Sequence, residues 1–336
     1  MDALIQSLVQ ANFAPERIAP QASMAQYTTL RIGGPAEVMV NIHSADEIAV
    51  ALRAAKQADA PVTIIGNGSN LLVRDGGIRG LVLRISGGLN AIRREGDCLL
   101  VQAGASLAAV AAFARDEGLS GMAELGGIPG TVGGGVLMNA GAYGAELAQL
   151  VTQAEGVSLS DGRRVVYPAD RLDFSYRHSA LMDAGVVITQ ATLALTPGDP
   201  EAIRARMEEC AKARREKQPL TLPSAGSTFK RPEGHFAAKL IDECGLRGLT
   251  VGGAQVSEKH AGFVVNTGSA TAADVHELLK QVRKRVYDHS QVLLEPEIIL
   301  YPPDYKLEDR GPQVPRNKFV DTGVIAMPED EAQEDK

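Results

Sequence analysis

The chain has 336 residues, 45% of them hydrophobic, and a net charge of −7. That length and apolar content support more than one buried core, and the negative balance excludes nucleic-acid binding by overall electrostatic attraction. Cys98, Cys210 and Cys244 stand far apart, without zinc-knuckle or disulfide spacing, and no stretch approaches the ~20 apolar residues of a membrane span, so a soluble cytoplasmic protein without metal is expected.

Leu4, Ile5, Leu8 and Val9 at helical spacing predict a short opening helix. In TTLRIGGPAEVMVNI, Gly33, Gly34 and Pro35 separate two extended apolar pieces, which predicts a strand pair. Ser44 and Glu47 stand at capping-box spacing, and Ile48, Leu52 and Ala55 make the buried stripe of a helix that ends before Pro61. PVTIIGNGSNLLV reads as a strand running into a glycine turn. The result is a small α/β unit, assigned to residues 1–80, whose pattern closes near Ile85.

From 81 to 198 the segments LVLRI, CLLVQA, GVSLS, RRVVYP and VVITQATLAL predict a mostly antiparallel sheet, with one helix, SLAAVAAFARDEG, stopped at Gly118. From Asp199 a long helix leads into a third unit, 199–302. It holds the strand AGSTFKRP, a helix HFAAKLIDECG, a strand pair around FVVNTG, the helix TAADVHELLKQVRKRVYDHS and a final strand VLLEPEIILY. Residues 303–336 are Pro-rich, then acidic, and are expected to be a disordered tail.

Two glycine loops carry the first chemical signal. GNGSN (Gly66, Asn67, Gly68, Ser69, Asn70) follows a strand, and LGGIPGTVGGGVLMNAGAYG, Leu125 to Gly144, holds eight glycines in twenty residues. Glycine brings backbone close to a ligand and lets successive N–H groups point at phosphate oxygens. Taken alone, GNGSN reads more readily as a tight turn than as a ligand loop. The second loop loses more conformational entropy than an ordinary turn requires, which favours a phosphate or cofactor role. Neither matches GxxxxGK[ST] or a GxGxxG that opens a helix, so an ATPase and a Rossmann dehydrogenase are not indicated.

The set TLRIGGPAE, GNGSNLLVRD, GGIPGTVGG with MNAGAYG, YRHS, AGSTFKRP, SEKHAGFVVN and LEPEI, in this order, resembles the UDP-N-acetylenolpyruvoylglucosamine reductase (MurB) family from Tyr27 to Leu300. The resemblance implies an α+β chain: a two-subdomain FAD-binding module of the vanillyl-alcohol-oxidase (PCMH) type plus a C-terminal α+β substrate domain. The short spacing between Arg177 and Ser227 resembles the class without a substrate-capping insertion. The implied cofactors are non-covalent FAD and NADPH as hydride donor, and the implied substrate is UDP-N-acetylglucosamine enolpyruvate. Hydride would pass from NADPH to FAD and then to C3 of the enolpyruvyl group, with protonation at C2, giving UDP-N-acetylmuramate for peptidoglycan. No nucleic-acid or membrane partner is implied.

Hydride addition builds negative charge on the enolpyruvyl carboxylate, so a cation is needed there. By resemblance Arg177 is that catalytic arginine; from the residue alone, a surface salt bridge is the commoner fate. Ser227 matches the proton donor to C2, although a lone GS pair also suits a turn. Glu297 matches the glutamate near the transferred atoms, while from the residues alone Glu295 and Glu297 share one strand face and stay unresolved. Ile299 stands where relatives commonly carry arginine, which shifts carboxylate or diphosphate binding towards Arg177 and other basic groups. Gly66 to Asn70, together with Gly127, Ile128, Pro129, Gly130, Thr131, Gly133, Gly134, Asn139, Gly141 and Tyr143, are the expected cofactor contacts. Lys217, Lys230 and Arg231 are the expected substrate-binding residues. The competing readings are a flavin oxidase sharing only the FAD modules and a flavin-binding protein without turnover.

Overall fold

The computed structural model describes residues 1–307. The first sheet has the order β1-β2-β5-β3, from β1 (Ile18–Ser23), β2 (Pro35–Asn41), β3 (Val62–Ile65) and β5 (Ile78–Arg84). β2 and β3 run parallel to β5, and β1 closes the edge antiparallel to β2. Helices α1 (Asp2–Gln10) and α2 (Ala45–Gln57) bury Leu4, Leu8, Ile48 and Leu52 in the core that Val38, Val40 and Leu81 also enter. Ser44 caps α2 by accepting from Glu47 N at 3.2 Å. The Glu47 carboxylate does not complete a capping box; it accepts from His43 N and from Arg17.

Two expectations change here. The partner of β2 is β1, not TTLRI: the Thr28 hydroxyl donates to Ile32 O at 2.8 Å and folds that segment into a turn. LVLRI belongs to β5, so the first sheet continues past residue 80 to Arg84.

The second sheet is antiparallel throughout, in the order β12-β11-β13-β7-β6: β6 (Ile92–Glu95), β7 (Cys98–Gln102), β11 (Val151–Ser158), β12 (Arg164–Pro168) and β13 (Val186–Ala194). Two-residue ladders join β8 (Leu119–Ser120) to β14 (Thr196–Pro197) and β9 (Gly141–Ala142) to β10 (Ala145–Glu146). α3 (Leu107–Asp116) begins at the Ser106 cap, and Gly118 just beyond it takes φ +66°. Six residues of the glycine run form a short helix, α4 (Val132–Leu137). Both sheets feed one continuous core, since Leu81 and Leu83 join the same cluster as Leu99, Val101 and Leu193.

α5 (Pro200–Lys217) lies against α3 and inserts Met207 beside that core, so it rides on the second unit and leads out of it. The third unit pairs β15 (Ser224–Ser227), β16 (Thr250–Val251), β17 (Ala254–Val256) and β18 (Phe263–Asn266) in the order β15-β18-β17-β16. Helices α6 (Ala237–Glu243) and α7 (Ala272–Ser290) cover it, and Leu240, Val256, Val275 and Leu279 define a second core. The expected final strand is short. Only β19 (Ile299–Tyr301) is extended, and it pairs in parallel with β4 (Leu71–Val73) of the first unit. The tail expected from 303 also starts later within the described residues: Tyr305 stacks on His276 and donates to Ala272 O at 2.9 Å. The rest of it, 308–336, lies outside the described residues.

Asp75, which follows β4, accepts from Ala272 N at 2.8 Å and from Ala273 N at 3.0 Å, capping α7 from 197 residues away in sequence. Losing a helix cap removes about 1–2 kcal/mol. Asp75→Ala is therefore expected to lower stability to urea unfolding by about that amount. An unchanged midpoint would contradict the cap.

Candidate active site

The two glycine loops face each other. The Asn67 side chain donates to Pro129 O at 3.2 Å, and Ser86 Oγ donates to Gly66 O at 3.0 Å. Glycine is required at two points. A Cβ on Gly68, which takes φ +59°, would lie 2.2 Å from Tyr27 O, and one on Gly66 would lie 2.5 Å from Thr131 Oγ1. The backbone N–H groups of Asn67, Gly68, Ser69, Asn70, Gly127, Gly130 and Thr131 donate to no other described residue. Buried backbone donors are nearly always paired, so the buried ones here, at Gly68 and Thr131, suit acceptors that no described residue supplies.

The loops form one end of a cavity of about 1190 Å³, open mouth included. Gly66 to Asn70, Ile128 to Thr131, Gly134 and Gly141 line it, as do Arg177, Ser227 and Glu297. Gly133 lines an adjoining apolar slot with Ile64, Ile85, Ala103 and Val187. A row of free donors beside an apolar slot fits a flavin dinucleotide.

Beyond the loops, Arg177 Nε donates to Glu297 Oε1 at 2.6 Å, with the two side chains only 20% and 13% exposed. Arg177 takes φ +56° and spreads over the Tyr176 ring at 5.0 Å. Glu297 is delivered by a zipper between two distant segments: Glu297 N donates to Thr228 O at 2.9 Å and Lys230 N to Glu295 O at 2.8 Å. Asn70 Nδ2 donates to Glu297 O at 3.0 Å and joins the glycine loop to the same segment. Burial pushes the Glu297 carboxyl above its ordinary value, and the charges of Arg177 and Lys230 only partly pull it back. Glu295 is exposed, because this stretch is not a strand and its residues do not alternate as one. Ser227 ends β15 with its hydroxyl free of other described residues.

Several expected contacts fall elsewhere. Asn139 is 1% exposed, donates to Ser175 O and accepts from Ala148 N, so it buttresses the loop before Arg177 instead of facing the cavity. The Tyr143 hydroxyl donates to Cys210 O at 3.3 Å on α5. Lys217 is exposed and lies off the cavity wall. Lys230 and Arg231 are likewise not part of that wall; the Arg231 guanidinium sits 4.0 Å over Phe236. Ile299 lines the cavity from a buried cluster with Ile65, Leu71 and Val73, where an arginine head group would need its own partner. Two wall residues, Arg214 and Gln218, escaped the motif reading. Their only sequence signal is spacing, one helical turn at the end of a long helix.

A family model described as FAD binding domain matches residues 36–167, and one described as UDP-N-acetylenolpyruvoylglucosamine reductase, C-terminal domain, matches residues 218–301. The UDP-N-acetylenolpyruvoylglucosamine reductase of Agathobacter rectalis is 50% identical, covering 82% of this chain and 91% of that one. The chain belongs to the UDP-N-acetylenolpyruvoylglucosamine reductase family. The Pediococcus pentosaceus reductase is 45% identical over 87% of this chain and 97% of its own. The crystal structure of the Thermus caldophilus MurB reductase superposes with a TM-score of 0.72 at 38% identity, covering 83% of this chain and 97% of that one. As a member of the family the chain is an FAD-containing oxidoreductase. Among the described residues no helix is long and apolar enough to cross a membrane.

A carboxyl raised by burial stabilises the fold fully below its unfolded pKa and loses that contribution as pH rises through the folded one. Relative to Glu297→Gln, the wild type should therefore lose stability from the ordinary glutamate range upward and then level off. Chemical denaturation of both proteins across pH checks this, and a pH-independent difference would contradict it.

Proposed function

We propose that the chain catalyses the NADPH-dependent reduction of UDP-N-acetylglucosamine enolpyruvate to UDP-N-acetylmuramate, in the cytoplasm, as a step of peptidoglycan precursor synthesis. The observation that carries the reading is the meeting of Arg177, Ser227 and Glu297, from three separate segments, on the wall of the cavity that the glycine loops close.

The chemistry FAD supplies when bound is two-electron transfer, taking hydride from NADPH and passing it to C3 of the enolpyruvyl group. The residues that would hold it are the Gly66–Asn70 loop and the Ile128–Thr131 loop, whose unpaired N–H groups suit a diphosphate, with the apolar slot beside Gly133 suiting a flat ring. Arg177 bears the charge that develops on the substrate carboxylate. Its guanidinium is pinned by Glu297 at 2.6 Å and is therefore pre-oriented, which is where electrostatic stabilisation gains most. With Ile299 in an apolar cluster, that task falls on Arg177 in this chain. Ser227 gives a proton to C2: its hydroxyl faces the cavity without a competing protein acceptor. Glu297, held in a site that disfavours its ionised form, polarises the enol ether and keeps Arg177 in place.

Anaerobic mixing separates the two halves. NADPH should bleach the flavin, and the enolpyruvyl substrate should restore its colour. Ser227→Ala should leave bleaching intact and slow recolouring by roughly 10² or more, the scale of losing a positioned acid. Equal slowing of both halves would reject the serine's role. Bleaching without recolouring in the wild type would reject the reductase reading.

A further inference from the structure

We propose that Arg214 and Gln218, at the end of α5, form a clasp that closes on the diphosphate and adjoining sugar hydroxyls of FAD along the glycine loops. The inference rests on the flavin reading above and adds residues that neither glycine motif contains.

Arg214 is a half-buried cation with no counterion. Among the described residues its side chain makes no ion pair and no hydrogen bond. The titratable groups that act on it are the Tyr143 phenol and the Cys210 thiol, both neutral near pH 7, and burial alone pushes the guanidinium down from its ordinary value. A cation taken out of water is strongly disfavoured unless an anion meets it. No described residue supplies that anion, and Arg214 lies on the cavity wall.

Its position names the kind of anion. The side chain lies flat on Gly127: a Cβ there would come within 2.7 Å of Arg214 Cδ, 3.1 Å of Nε and 3.3 Å of Nη1. The guanidinium thus borders the loop whose Gly127, Gly130 and Thr131 N–H groups have no partner. One fork of donors and a row of amides around one space suit a diphosphate. Gln218 adds a second requirement. Its Oε1 is buried with no hydrogen-bond partner, and it needs a donor. A dinucleotide carries hydroxyl donors beside its diphosphate, on the ribityl chain and the ribose, whereas a carboxylate does not.

The clasp is built before any ligand arrives. Arg206 Nε donates to Glu124 Oε1 at 2.7 Å, fixing α5 to the start of the glycine run, and the Tyr143 hydroxyl holds Cys210 O on the same helix. Asp199 caps the far end through Glu201 N and Ala202 N. The helix that leads into the third unit therefore also grips the cofactor.

The test compares FAD with riboflavin, which lacks the diphosphate, by fluorescence quenching on flavin-stripped protein. Arg214→Met should raise the Kd for FAD about 10–100-fold, as expected for a lost charge-assisted bond, and change the Kd for riboflavin less than about 3-fold. Arg214→Lys, which keeps the charge without the fork, should lie between and carries the comparison if the Met variant does not fold. Equal loss of FAD and riboflavin binding would overturn the clasp and leave Arg214 a support of the loop. Unchanged FAD binding with a raised KM for NADPH or for the UDP substrate would overturn it in favour of that substrate's diphosphate. Wild-type protein that takes up no FAD would sink the flavin reading itself, a separate outcome.

Discussion

A three-residue ladder makes one site out of two cores. β19 lies in parallel register on β4, Ile299 with Leu71 and Tyr301 with Val73. Ile299 N donates to Asn70 O at 2.8 Å, and Arg74 N donates to Tyr301 O at 2.9 Å. Two residues before this ladder stands Glu297, and one residue before its partner strand ends the loop Gly66–Asn70. The pairing thus sets the distance between the glycine loop and the carboxylate, and Asn70 Nδ2 on Glu297 O fixes the register from the side chain as well. The buried hydroxyls of Thr63 and Tyr301 meet across the same junction. A one-residue slip would turn Ile299 out of its apolar cluster, so register is held by burial and hydrogen bonding together.

The cavity that results collects polar groups the chain leaves unsatisfied. Among the described residues Arg214 lacks a counterion, Gln218 Oε1 lacks a donor, the Ser227 hydroxyl lacks a partner, and a row of loop N–H groups lacks acceptors. Native proteins leave few buried polar groups unpaired, and Gln218 Oε1 is such a group on this wall. Arg177 and Glu297 are the exception, paired with each other at 2.6 Å. Such a pair does little for stability, because taking both charges out of water offsets their attraction. Its value lies in position: Glu297 holds the Arg177 head group at the wall while burial keeps the carboxyl's own charge disfavoured.

Regular elements were legible where local chemistry dominates. Ser44 before an apolar stripe is a capping signal that acts within one helical turn, and it starts a helix; in the structure Asp199 and Thr271 cap α5 and α7 in the same way. Elements that depend on a distant partner were misread. TTLRI has the apolar content of a strand, yet the Thr28 hydroxyl folds it into a turn. VLLEPEIILY looks extended throughout, but only Ile299–Tyr301 finds a partner strand, and the rest is held by Thr228 and Lys230 from another segment.

By itself the sequence determined the chemistry that glycine and local motif can encode: two loops of bare backbone, a capped set of helices, and the order of motifs that places the chain in its family. Glycine's freedom and a cap's reach are properties of a few adjacent residues, so they survive without a fold. The residues alone left Glu295 and Glu297 unresolved and only the resemblance picked Glu297; the tertiary structure supplied the reason it enters the cavity and decided which basic groups face it. Glu297 is inside and Glu295 outside because β19 docks on β4. Arg214 is on the wall and Lys217 off it because α5 lies on α3. Burial, counterions and unpaired donors depend on segments brought together from far along the chain, and no local spacing records them.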